Sequence, residues 1–174
     1  TMIHFEILPA NSSAQNLIQY VQPLAGTASS TTTSALKHSE TGSEGNANTI
    51  PAVGLPFAMT QWTPQTRLGE NKCVPPYFYK DSLLSGFRGT HWLSGSCTQD
   101  YGSFTVMPVG GKLVTDANDY SILFSHLDET TSPAYYGLTT QNIVTEITST
   151  LRCGIMRFTM LSDDSLYLII MPNS

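Results

Sequence analysis

Between Ile143 and Ser149 the side chains alternate. Ile143, Thr145 and Ile147 fall on one face and Val144, Glu146 and Thr148 on the other, the period of two expected of a half-buried strand. Cys153 to Met160 and Leu166 to Met171 read as two further strands, separated by the turn Ser162-Asp163-Asp164. Upstream, Ala134 to Leu138 alternates in the same way, and Tyr120 to His126 reads as a strand centred on Ser121 to Ser125. Phe104 to Met107 reads as a strand ending at Pro108. Ala58 to Trp62 is another, entered from the turn Val53 to Phe57 and left through the turn Thr63-Pro64-Gln65-Thr66. Strands about ten residues apart with turn signals between them predict an antiparallel sandwich or barrel. Helical periodicity is almost absent: Ala10 to Tyr20 admits a short helix, and Met2 to Leu8 a first strand or an ordered lead-in. The predicted class is all-β, an antiparallel β-sandwich.

One tract breaks the pattern. Gly26 to Asn48 is of low complexity, nearly all hydroxyl from Thr27 to Ser34, and reads as a long surface loop. The remainder of the 174 residues suits one domain large enough to bury a core. Apolar residues make up 40% and charged residues only 12%, which excludes disorder and suits a secreted β-protein with a hydroxyl-rich surface. A net charge of −5 with eight Lys and Arg offers no basic stripe for nucleic acid. The longest apolar run, Leu166 to Met171, fits a buried strand and is too short for a bilayer. Asn11-Ser12-Ser13 is a glycosylation sequon, weakly consistent with the secretory route. Cys73, Cys97 and Cys153 have no C-x-x-C spacing, so zinc is not expected; one disulfide plus a thiol, or three thiols, remain open.

The chemistry concentrates between Gly86 and Pro108. His91, Trp92, Ser94, Ser96, Cys97, Gln99, Asp100 and Tyr101 stand there among Gly86, Gly89, Gly95 and Gly102. Glycine lets a backbone turn or approach a ligand closely, and indole, imidazole, amide and carboxylate grip a polar ring. The stretch is expected to be a loop that displays a sugar-facing wall between two strands. Trp92 is then a platform for a sugar face or a core indole. His91 donates to a hydroxyl or is a satisfied structural group. Asp100 accepts from paired hydroxyls or caps a turn. Cys97 faces the pocket as a thiol or pairs with Cys73. No Gly-x-Ser-x-Gly elbow accompanies these serines, so a hydrolase triad is not expected. Trp62, Tyr77, Phe78 and Tyr79 read as packing residues.

Four segments, in order, resemble the N-terminal domain of the glycoside hydrolase family 92 α-mannosidases. They are Tyr20 to Thr27, Asn48 to Thr66 (with its Leu55-Pro56-Phe57 turn), Gly86 to Cys97 followed by Asp100-Tyr101-Gly102 and Met107-Pro108, and Ser125-His126 with Ser132 to Tyr136. The resemblance runs from about Tyr20 to the C-terminus, with Ala52, Ala58 and Ala134 standing where the family usually has glycine. It implies that residues 1–174 form a single N-terminal β-sandwich domain, itself incomplete, with the helical (α/α)6 catalytic domain outside the chain. It implies mannose-containing glycans as ligands and places the catalytic acid, the base and the Ca²⁺ ligands in the helical domain or a second chain. No catalytic residue and no metal ligand is expected here. Substrate contact is expected from His91, Trp92, Cys97, Asp100 and Phe57. The rival readings are a non-catalytic lectin-like module and a sandwich that oligomerises through its edges.

Overall fold

The computed structural model describes residues 17–29, 32–33, 47–68, 74–93, 100 and 102–172. Two four-stranded antiparallel sheets and a two-stranded ribbon make up the described fold. The first sheet has the order β1 (Gln61–Gln65), β3 (Gly86–Thr90), β4 (Phe104–Gly110), β10 (Leu166–Pro172). The second is the meander β6 (Glu129–Ser132), β7 (Tyr135–Thr140), β8 (Ile143–Ser149), β9 (Gly154–Met160). The ribbon pairs β2 (Leu83–Leu84) with β5 (Ile122–Leu123). The alternation read in β8 is realised, with Ile143, Thr145 and Ile147 buried.

Apolar positions from both sheets meet in one core of Val53, Trp62, Leu84, Phe87, Tyr136, Leu138 and Ile147. Residues paired across strands share a face, so the register Phe87↔Val106↔Ile170 carries the inner face outward to β10. At that open edge Leu168 and Ile170 remain exposed. A second, smaller cluster of Ile50, Tyr77 and Trp92 packs beside the first, and Phe124 touches both.

Several local expectations change. Thr63 to Gln65 belongs to β1 and is not a turn; Pro64 is tolerated because β1 is an edge strand that needs no second ladder. Pro108 likewise lies inside β4, where β4 pairs only with β10. The strand read from Tyr120 to His126 shrinks to the two residues of β5, between the single-turn helix α1 (Ala117–Tyr120) and a 3-10 turn at His126–Asp128. Asp116 stops the chain from extending there, because its side chain caps α1 at the Asn118 amide. Leu17–Tyr20 forms a 3-10 turn, and β6 had no clear signal. The lead-in Met2 to Leu8, the sequon and most of the Gly26 to Asn48 tract lie outside the described residues.

Candidate functional site

The first five residues of the chemistry-rich segment are core strand. Every residue of β3 is buried, so the loop begins at His91 and not at Gly86. Gly86 has a structural duty: its φ of 143° lies where side-chain-bearing residues are strained, and a Cβ there would overlap Thr105 Cγ2. Gly89 admits the Trp62 ring, whose edge lies 3.2 Å from where its Cβ would be.

Asp100 gathers the two ends of the loop. Its carboxylate accepts from Arg88 Nη2 at 3.1 Å, from the Thr90 hydroxyl, and from the His91 amide at 3.0 Å. Both charged side chains are 3% exposed, so this is a buried ion pair. Asp100 is therefore a clamp at the loop root; of the two roles the sequence left it, these contacts belong to the structural one. Thr90 Oγ1 also accepts from the Trp92 amide at 3.0 Å.

Trp92 is held inside the fold as well. Its side chain is 5% exposed, lies against Ile50 and Tyr77, and donates Nε1–H to the Asn48 carbonyl at 2.9 Å. An indole packed this way has almost no face left for a sugar. The backbone of residue 48 supplies the indole with a partner that sequence order hides. His91, adjacent to it, stays half-exposed at the loop entrance. Cys97 lies outside the described residues, as does Cys73, while Cys153 is an exposed free thiol.

Phe57 sits apart, in the turn that precedes β1. It is fully exposed and its φ is 63°, a left-handed conformation rare for a bulky residue. Hydrogen bonds thus join His91, Trp92 and Asp100, while Phe57 lies in the turn leading to β1, whose Gln61 pairs with Thr90.

A second constellation was not assigned from sequence. Glu129, completely buried, accepts from Tyr136 Oη at 2.6 Å, from Tyr77 Oη at 3.1 Å, and lies 2.5 Å from His126 Nδ1. The available signal was the His126/Glu129 spacing of three, ahead of the Tyr135-Tyr136 pair. Burial first, then the Glu129 carboxylate, pushes both phenols well above the usual tyrosine value. Unfolded tyrosines ionise near pH 10, whereas these stay protonated when folded. Their contribution is therefore complete below about pH 10 and is lost as pH rises beyond it. Each phenol is expected to remove roughly 1.4 kcal/mol of stability per pH unit in that range. Urea unfolding from pH 9 to 11 checks this; a midpoint flat across the interval would refute it.

Among the described residues no three of His, Cys, Asp and Glu converge, so these residues offer no oxygen cage to the Ca²⁺ that the resemblance implies for the family. The described carboxylates nearest the loops are already engaged: Asp81 by Arg67 at 2.9 Å, Asp100 by Arg88, and Glu146 by Arg157 at 2.5 Å.

Fold and site define an antiparallel β-sandwich domain that carries its polar chemistry on inter-strand connections. The chain belongs to glycosyl hydrolase family 92, whose N-terminal domain it matches over residues 20–174. It is similar to the family GH92 inverting mannosidase BT2199 from Bacteroides thetaiotaomicron VPI-5482, at 33% identity and a TM-score of 0.71, covering 88% of this chain and 19% of that one. The α-mannosidase BT3965 from Bacteroides thetaiotaomicron is similar at 29% identity, also with a TM-score of 0.71, over 88% of this chain and 20% of that one. This chain thus spans about a fifth of the length of those enzymes. No functionally curated protein matches it.

Proposed function

We propose that this chain is the sandwich portion of a secreted exo-α-mannosidase and that the connection after β3 forms one wall of the subsite for the terminal mannose. The observation that carries the reading is the buried Arg88–Asp100 clamp within a family of mannosidases. An ion pair 3% exposed on both sides fixes Asp100 against Arg88 and the His91 amide, so the described root of the connection has one arrangement, as a wall that must meet substrate reproducibly requires. His91, directly bonded to that clamp through its amide, is the contact residue. Trp92 and Asp100 are positioning residues. Phe57 supports the reading, since an exposed ring held at positive φ costs about 1–3 kcal/mol and such strain concentrates at binding surfaces.

The test uses the whole natural polypeptide that carries this chain and an aryl α-mannoside. His91→Ala is expected to raise KM about tenfold, the worth of one hydrogen bond to a sugar hydroxyl, with the thermal midpoint unchanged. Phe57→Gly is expected to weaken binding while stabilising the fold by about 1 kcal/mol, because glycine relieves the backbone strain. Unaltered KM in both variants would sink the subsite assignment. Mannose binding with no turnover in the unmodified protein would favour the lectin-like alternative.

A further inference from the structure

His126 is held as few surface histidines are. Its Nδ1 faces the buried Glu129 carboxylate at 2.5 Å, and two protonated phenols occupy the remaining acceptor positions of that carboxylate. A carboxylate with no exposed surface is costly unless donors surround it, so Nδ1 carries the proton toward Glu129. In the neutral ring the lone pair is then on Nε2. Packing fixes its direction: the imidazole stacks on Tyr79 at 4.0 Å and 11° and meets Phe124 edge-on at 5.1 Å. The ring is still 26% exposed. It opens on a shallow, open cleft of about 550 Å³ whose walls also include Lys80, Asp81, Ser82 and Leu127.

We propose that this cleft is a saccharide site in which His126 Nε2 accepts a hydrogen bond from a ring hydroxyl. A pyranose satisfies both kinds of wall. Its hydroxyls donate to Nε2 and accept from Lys80 and Ser82, while its C–H face lies on the apolar surface of Tyr79 and the exposed Leu127. An anion fits less well even with Lys80 in the wall, because the Asp81 carboxylate lines the same cleft and the neighbouring Arg67 is paired with it at 2.9 Å. The choice of mannose-type sugars as ligand rests on the mannosidase reading; the orientation of the acceptor does not.

Diethyl pyrocarbonate tests the proposal, since it acylates the unprotonated imidazole nitrogen, and peptide mass spectrometry reads His91 and His126 separately. The whole natural polypeptide is labelled at neutral pH with and without α-1,2-mannobiose. His126 is expected to react readily without sugar. A ligand at ten times its Kd leaves about one site in eleven free, so labelling should slow about tenfold. Tyr79→Ala should abolish that protection and Tyr79→Phe should retain it. Protection of His91 with His126 labelled equally in both samples overturns this site and leaves the subsite reading intact. Protection of neither histidine overturns both. An inert His126 in the sugar-free protein, meaning that another part of the polypeptide covers the cleft, also overturns it.

Discussion

Trp92→Ala is expected to destabilise the protein by roughly 3–5 kcal/mol, the cost of emptying a buried large aromatic site. The indole touches Ile50 and Tyr77, and its Nε1–H is bonded to the Asn48 carbonyl. Its removal opens a void and deprives a buried carbonyl of its donor at once. The neighbours cannot collapse into the space freely, because Tyr77 is tied through its hydroxyl to Glu129. Trp92→Phe keeps most of the volume and loses the hydrogen bond, so about 1–2 kcal/mol is expected. Urea denaturation followed by tryptophan fluorescence, with Trp62 as the remaining reporter, measures both. A midpoint unmoved in Trp92→Ala, together with weakened mannoside binding, would show that the ring works as a sugar platform after all.

Breaking the clamp should cost as much. Asp100→Ala leaves the Arg88 guanidinium buried without its carboxylate, and loss of one partner of a buried pair typically costs about 3–5 kcal/mol. It also removes the acceptor for Thr90 and for the His91 amide. For a chain of this length that corresponds to a fall in Tm of roughly 10 °C. Replacing both partners, Arg88→Met with Asp100→Leu, should recover part of the loss because no lone charge remains inside. Scanning calorimetry on the two variants decides the matter. A single variant within 1 kcal/mol of the parent, or a double variant less stable than Asp100→Ala, would contradict the clamp.

The functional consequences of the two substitutions differ in kind from that of His91→Ala. In the proposed subsite Trp92 and Asp100 would act through the position of the connection's root, so their loss should be accompanied by a lower Tm. His91, half-exposed at the same entrance, should lose substrate contact alone. The comparison therefore separates positioning from contact at the root of one connection.

Much of the architecture was readable from side-chain order. Period-two alternation located β7 and β8, because a strand with one dry face leaves that signature locally, and apolar runs bounded by polar turns located β9 and β10. The same local logic failed where partners are distant. Pro64 and Pro108 looked like strand terminators, yet each sits where the missing amide hydrogen has no ladder to serve. That is a property of strand order, which no window of neighbouring residues contains.

The candidate site divides along the same line. Glycines, His91 and Asp100 marked the Gly86 to Pro108 segment as chemically loaded, and the four ordered motifs carried the family resemblance. The roles within it came from contacts 9 to 44 positions apart: Asp100 with His91, and Trp92 with residue 48. Likewise Tyr77 meets Glu129 across 52 positions, and neither residue alone suggests a held imidazole. Strand pattern and family are thus inscribed in local order, since they depend on which residues follow one another. Whether a ring is core or contact, and whether a carboxylate is clamp or ligand, depends on burial and on partners that only the packed sheets bring within hydrogen-bonding range.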